Sequence, residues 1–404
     1  MPFDVAKARA DFPVLSREIN GKPLVYLDSG ASAQKPEAVI EAMSHAMRHS
    51  YANVHRGLHR LANETTDAYE AGRETVAKFI GAATDEIVFT KSATEAVNLI
   101  ANTYCERLQA GDEILVTEME HHANIVPWYM LAERKGARLT YVPIRDDGSL
   151  DMDAFDRLLT KNVKIVAVTH MSNVLGTIND IKSLAEKAHA VGAKIVVDGA
   201  QGVVHLPVDV KAIDADFYVF SAHKLYGPTG LGVLYAKAEL LHDMPPWQGG
   251  GEMIAHVTKD RITWNEPPHR FEAGTPAILE VIGLKAAIDW LGQFDRDEIL
   301  AHEHALYVKA HDRLKAINSL RIHGEAPGKG SILTFSLGQA HAHDVAQILD
   351  RYNVAVRAGT HCAEPLMTRL GVASTVRASI ALYNTEAEID VLAEAVEKAQ
   401  SFFA

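Results

Sequence analysis

Two short segments leave reactive side chains where an apolar run ends. KIVVDGAQ closes on Asp198 and Gln201, and DFYVFSAHKLYGPTG closes on Ser221, His223 and Lys224. Open α/β sheets collect their ligands at the carboxyl ends of strands, so both segments point to one place. An amine emerging there is poorly solvated, and desolvation lowers its pKa toward the range in which it attacks a carbonyl. Such a lysine suits a Schiff base. A third segment, KSATEAVNLI, opens a helix at Ala93 and Thr94, whose unpaired N–H groups and dipole favour a phosphate. Each segment also has a plainer reading, as a solvated loop lysine, a capping aspartate or an ordinary helix start. Their combination supplies what pyridoxal 5'-phosphate asks of a protein: a lysine for its aldehyde and a carboxylate for its ring nitrogen.

The thiols differ by position. The chain has only two cysteines, Cys105 and Cys362, too few for a disulfide framework, and this points to a reducing compartment. Cys105 falls on the apolar stripe of an amphipathic run from Thr94 to Leu108 and reads as a packing residue. Cys362 sits in a turn beside His361 and near Arg357, cations that could stabilise its thiolate. Twenty histidines raise the question of metal, with suggestive pairs at His55/His59, His302/His304 and His341/His343. Neither HExxH nor CxxC occurs, and no metal is expected. GEAPGKGS at 324–331 lacks the spacing of a phosphate-binding P-loop and reads as a turn.

The elements that must position these groups alternate regularly. LVYLD, EIVFT, EILVTEM, RLTYVPI, KIVAVTHM, KIVVDGA, DFYVFSAHK and GVLYAK are separated by helical-period segments, the pattern of a buried, mostly parallel α/β sheet. After a Gly/Pro-rich passage the pattern shifts to long helices, Ile278 to Phe294 and Arg296 to Ile317, followed by an α+β order of strands and helices. The expected division is an N-terminal segment (1–20) packing with the small domain, a large α/β domain (21–277) and a small α+β domain (278–404) that carries the Cys362 loop. A formal net charge of −12 over 404 residues argues against nucleic acid as the main partner. No run approaches the roughly 18 apolar residues of a membrane span, and MPFDVAKARADFP does not read as a signal peptide. A cytoplasmic protein is expected.

In order along nearly the whole chain, DFPVLSREINGKPLVYLDSGASAQKP, MEHHANIVPW, THMSNVLGT, VDGAQ, FSAHKLYGPTGLGVLY, FEAGTP, RAGTHCAEPLM and VRASIALYN resemble the fold type I pyridoxal-phosphate enzymes. Within that class V aminotransferase-like group they are most similar to the group II, Suf-type cysteine desulfurases. The resemblance implies a large domain with a seven-stranded, mostly parallel sheet and a small α+β domain. It implies that Lys224 binds the cofactor, Asp198 pairs with the ring nitrogen, Gln201 contacts the ring hydroxyl, and His121 stacks on the ring as acid or base. Phosphate contacts would come from Ala93, Thr94, Ser221 and His223, with Thr275 reaching in from the second subunit of a homodimer. Arg377 and Asn173 would bind the substrate carboxylate, Arg357 and His361 would flank it, and His55 and Arg56 would approach the partner's site. Cys362 would be the nucleophile that takes sulfur from L-cysteine as a persulfide, leaving alanine. The short loop before it implies a docking acceptor protein and a role in iron–sulfur cluster assembly. The pattern departs at Thr360, where relatives often carry histidine or glutamine, and at KSAT, which replaces arginine-glycine-threonine-threonine. Other reactions of the same cofactor, such as selenocysteine cleavage or transamination, and a non-catalytic docking subunit are the competing readings.

Overall fold

The computed structural model describes residues 3–403. Seven strands form the central sheet: β1 (Ile87–Thr90), β2 (Glu113–Thr117), β3 (Arg138–Val142), β4 (Val163–Thr169), β5 (Lys194–Asp198), β6 (Phe217–Ser221) and β7 (Gly232–Ala236). Their order is β1-β7-β6-β5-β4-β2-β3. Only β7 runs against its neighbours; β6, β5, β4, β2 and β3 pair in parallel. Successive residues of a strand point to opposite faces. Accordingly Val166, Val168, Val197, Tyr218 and Phe220 enter one apolar cluster, and Ile165, Ala167, Val196, Phe217 and Val219 enter another. Burial on both faces is why these strands read as unbroken apolar runs.

Helices cover both faces. Those used below are α1 (Glu37–His49), α2 (Arg60–Phe79), α3 (Ala93–Asn102), α4 (Val126–Lys135) and α5 (Ile278–Leu291). The amphipathic run expected to continue to Leu108 breaks after Asn102 and resumes as a single tight turn, Tyr104–Arg107. Cys105 lies in that turn, wholly buried, and burial pushes its thiol pKa up.

The smaller layer is an antiparallel sheet of β8 (Leu320–His323), β9 (Ile332–Leu337), β10 (Arg357–Gly359) and β11 (Thr375–Ser379), ordered β8-β9-β11-β10. Its apolar cluster includes Val25 and Leu27, because Val25–Tyr26 pairs in parallel with Val354–Ala355 and Leu27 O accepts from Ser379 N. The N-terminal contribution to the small layer therefore runs into the span expected to be large domain. Conversely α5 packs on α1 and α2, and its Ile278, Val281, Leu284 and Leu291 join the core of the large layer. The Gly/Pro-rich passage that suggested a boundary instead contains an exposed hairpin, Ile254–Val257 against Ile262–Trp264. The loop 324–331 connects β8 to β9 as a turn, with Lys329 Nζ donating to Gly324 O at 2.7 Å. Among the described residues, no helix is long and apolar enough to cross a membrane.

Candidate active site

A cavity of about 380 Å3 opens beside the carboxyl ends of β5 and β6. Asp198 ends β5, Ser221 ends β6, and the tight turn Ala222–Lys224 then carries His223 and Lys224 to the wall. Asp198 Oδ1 accepts from Ala200 N at 2.9 Å, which fixes its carboxylate. Burial raises the Asp198 pKa, and the charge of Lys224 opposes that rise. Burial lowers the Lys224 pKa, with Asp198 acting in the opposite sense and Arg377 in the same one. Each charge works against the burial that disfavours the other, and burial is the larger influence on both.

One end of the cavity is suited to an anion. Ser92 caps α3, its side chain accepting from Glu95 N at 3.2 Å, and Ala93 N donates to Ser221 Oγ at 2.9 Å. A Cβ on Gly232 would fall 2.2 Å from the Ser92 carbonyl carbon, so only glycine lets β7 seat the helix start this closely. Thr94, Ser221 and His223 complete this end. His121 stands on the wall after β2. Its Nδ1 accepts from Ala123 N at 3.0 Å, which assigns the ring proton to Nε2. Burial, then the charge of Lys224, pulls its pKa down to about 3, so the imidazole is neutral.

The other end is basic. Strand register sets Arg357 opposite Arg377 across β10 and β11. Asp28 bridges them, accepting from Arg357 Nη2 at 2.5 Å and from Arg377 Nη2 at 3.4 Å. Arg377 Nη1 donates to Asn173 O at 3.0 Å, while its buried Nε has no partner among the described residues. A lining guanidinium with donor capacity to spare fits a carboxylate.

Cys362 is exposed and lines the same cavity. His361 and Cys362 both adopt left-handed backbone, φ 53° and 54°, which for non-glycine residues costs on the order of 1 kcal/mol or more each. Two hydrogen bonds hold this turn: Asn173 Nδ2 donates to His361 O at 2.9 Å, and His122 N donates to Cys362 O at 2.7 Å. His361 does not serve as the cation suggested by its sequence position. Burial draws its pKa down to about 3, and its Nε2 bonds Thr375 Oγ1 at 2.9 Å. Positive charge near Cys362 comes from Arg357 and Arg377.

The fold therefore brings Lys224, Asp198, His121, Ala93, Thr94, Ser221, His223, Asn173, Arg357, Arg377, His361 and Cys362 around one cavity. Gln201 stays behind the wall, its Nε2 donating to Gly30 O at 2.8 Å. Thr275 lines a separate hollow of about 270 Å3 together with Lys91 and Glu95, and His55 and Arg56 pair with Glu252 at 3.8 and 3.2 Å. His55, Glu70 and His269 bring three possible ligand atoms within 4.8 Å, yet Glu70 already accepts from Arg73. Sequence reasoning missed Gly30, Ala31, Ser92, Ala123 and Ala200 on the wall, and Asp28 behind the arginines. For Ser92 a signal was present, since Ser92 and Glu95 have the spacing of a capping box.

A lysine amine near a buried carboxylate, an anion cradle at a helix start and an exposed thiol on one cavity define an α/β protein of carbonyl-cofactor chemistry. The Aminotransferase class-V family model matches residues 25–392, and the chain belongs to that family. A protein of Klebsiella pneumoniae named cysteine desulfurase is 52% identical over 98% of this chain and 98% of its own length. One of the same name from Pectobacterium carotovorum is 50% identical, again over 98% of both. The crystal structure of the cysteine desulfurase CsdA from Escherichia coli is 43% identical, with a TM-score of 0.92 over 99% of each chain. The apo cysteine desulfurase of Thermococcus onnurineus is 38% identical, with a TM-score of 0.94 over 98% of each.

Proposed function

We propose that this chain is a pyridoxal-phosphate-dependent cysteine desulfurase, and the observation that carries the reading is the exposed thiol of Cys362 on the same cavity as Lys224 and Asp198. The donor set fits that cofactor: the start of α3 with Thr94, Ser221 and His223 for the phosphate, Asp198 for the ring nitrogen, Lys224 for the aldehyde. When bound, the cofactor supplies an electron sink that activates the bonds around the substrate's α-carbon.

The chain's own residues do the rest. Arg377 and Arg357 take the L-cysteine carboxylate, and Asn173 holds both Arg377 and the Cys362 turn in place. Lys224, with its lowered pKa, accepts the α-proton. The Cys362 thiolate attacks the substrate sulfur. A sulfur–sulfur bond forms as the carbon–sulfur bond breaks, its electron pair going to the substrate carbon, which then takes a proton. Neutral His121, with its proton on Nε2, is the donor available there. The products are L-alanine and a persulfide on Cys362. The finer reading is a group II, Suf-type enzyme of the cytoplasm. It works as a homodimer in which Thr275, His55 and Arg56 serve the second site, and it passes sulfur to a docking acceptor for iron–sulfur assembly.

The test is to incubate the cofactor-loaded protein with L-cysteine and a reductant and to measure alanine and sulfide together. Equal amounts are expected from the parent. Cys362→Ser should release no sulfide while keeping the cofactor's colour, and Lys224→Ala should lose turnover. Undiminished sulfide release from Cys362→Ser would refute the assignment of the nucleophile.

A further inference from the structure

Glu120, the residue before His121, is fully buried, and the chemistry above gives it no task. Its carboxyl is held at both ends. Oε1 accepts from Thr117 Oγ1 at 2.6 Å and from Thr169 N at 2.9 Å. Oε2 accepts from Asn124 Nδ2 at 2.7 Å, and Asn124 Oδ1 in turn accepts from Trp128 Nε1 at 3.0 Å. These partners sit at the ends of β2 and β4 and at the entrance to α4. The turn they enclose carries His121 to the cavity and offers His122 N to the carbonyl of Cys362.

We propose that Glu120 is a positioning residue, a buried clasp that fixes through one turn both the His121 ring and the backbone of the Cys362 loop. Each oxygen meets an N–H donor, so the position requires an acceptor at both ends, and only a carboxyl group of this length supplies it. Glutamine does not. With its amide nitrogen at the Oε2 place it faces the Asn124 amide nitrogen, and turning Asn124 over would set that nitrogen against the Trp128 N–H. With the nitrogen at the Oε1 place it faces Thr169 N–H. Either way two buried donors confront each other, a cost comparable to a lost hydrogen bond and the desolvation behind it.

The same logic supplies a repair. In Glu120→Gln/Asn124→Asp the glutamine amide donates to the new carboxylate, which still accepts from Trp128, while the glutamine oxygen keeps Thr117 and Thr169. The shape is unchanged and the pattern of donors and acceptors closes again.

This inference rests on the desulfurase reading, so sulfide and alanine are measured first for the parent; a parent with cofactor bound but no sulfide refutes that reading. The bound cofactor's visible band, compared across the variants, judges Glu120 independently of turnover. Glu120→Gln should lose at least about tenfold in kcat with KM within about twofold, and should displace the visible band. The double variant should return kcat to within about threefold of the parent and restore the band. A purely structural Glu120 would lower the melting temperature and leave kcat and the band in place; that result, or a folded double variant no better than Glu120→Gln, overturns the proposal. Should Glu120→Gln not fold, Asn124→Ala removes one donor and takes its place. An unchanged band and kcat in that variant would equally overturn the clasp.

Discussion

At Arg377 the chemistry is carried by the planarity of a guanidinium as much as by its charge. Nη1 and Nη2 each spend one N–H on Asn173 O and Asp28 and keep a second for a ligand. Lysine keeps the charge but not the fork. Arg377→Lys should therefore raise KM for L-cysteine at least about tenfold, with the cofactor retained; steady-state kinetics beside an absorbance spectrum decide it. An unchanged KM would remove Arg377 from carboxylate binding. The groups legible from sequence were those at the ends of apolar runs, Asp198, Ser221 and Lys224, because a strand end fixes where its next side chain points. Asp28 was not legible. Its role depends on a chain crossing to a strand pair more than three hundred residues away, and nothing local marks it.

Among elements, the seat of α3 on β7 is a close backbone approach that matters to the site. Gly232→Ala would put a methyl group 2.2 Å from the Ser92 carbonyl carbon, and backbone on backbone has little room to yield. The helix start should shift, and affinity for the cofactor should fall at least about tenfold, roughly 1.4 kcal/mol, in a titration of the apo protein. Affinity equal to the parent would show that the cradle does not depend on this contact. The strands were readable from composition because both faces are buried. The helix α5 misled for a related reason: it is apolar nearly all round and carries no stripe to say which layer it joins. The Gly/Pro-rich passage before it resembled a linker because hairpin turns and linkers draw on the same residues.

Over the whole molecule, buried histidines set the response to acid. Burial lowers His323 to about 4, and likewise His170 and His223, with His121 and His361 near 3. A folded-state pKa below the unfolded value of about 6.5 means that the unfolded chain binds protons the native chain refuses. Stability is then complete above about pH 6.5 and is lost as pH falls toward 4. For one such histidine the loss at pH 5 is roughly 2 kcal/mol. His323 lies outside the cavity, bonded to Ser336 Oγ at 3.0 Å, so His323→Gln should flatten the decline in stability between pH 7 and 5 without touching the active site. Urea unfolding at the two pH values measures it, and an unaltered slope would contradict the burial argument.

The proposed two-fold assembly makes a second prediction at this scale. If Thr275 serves the partner's phosphate, Lys224→Ala and Thr275→Asp chains, each inactive alone, should regain turnover when produced together, since a mixed pair contains one intact site. No recovery in purified mixed pairs would place Thr275 outside the partner's site.

The bridge from Asp28 to both arginines has one more consequence. A tethered carboxylate behind the two guanidiniums already offsets part of their charge, so the basic end attracts a lone anion less strongly before any amino acid arrives. Chloride or acetate, with a single weak hold, gains little there. A visitor that also brings an amine and a thiol to Lys224 and Cys362 has three footholds, and selectivity begins with that difference.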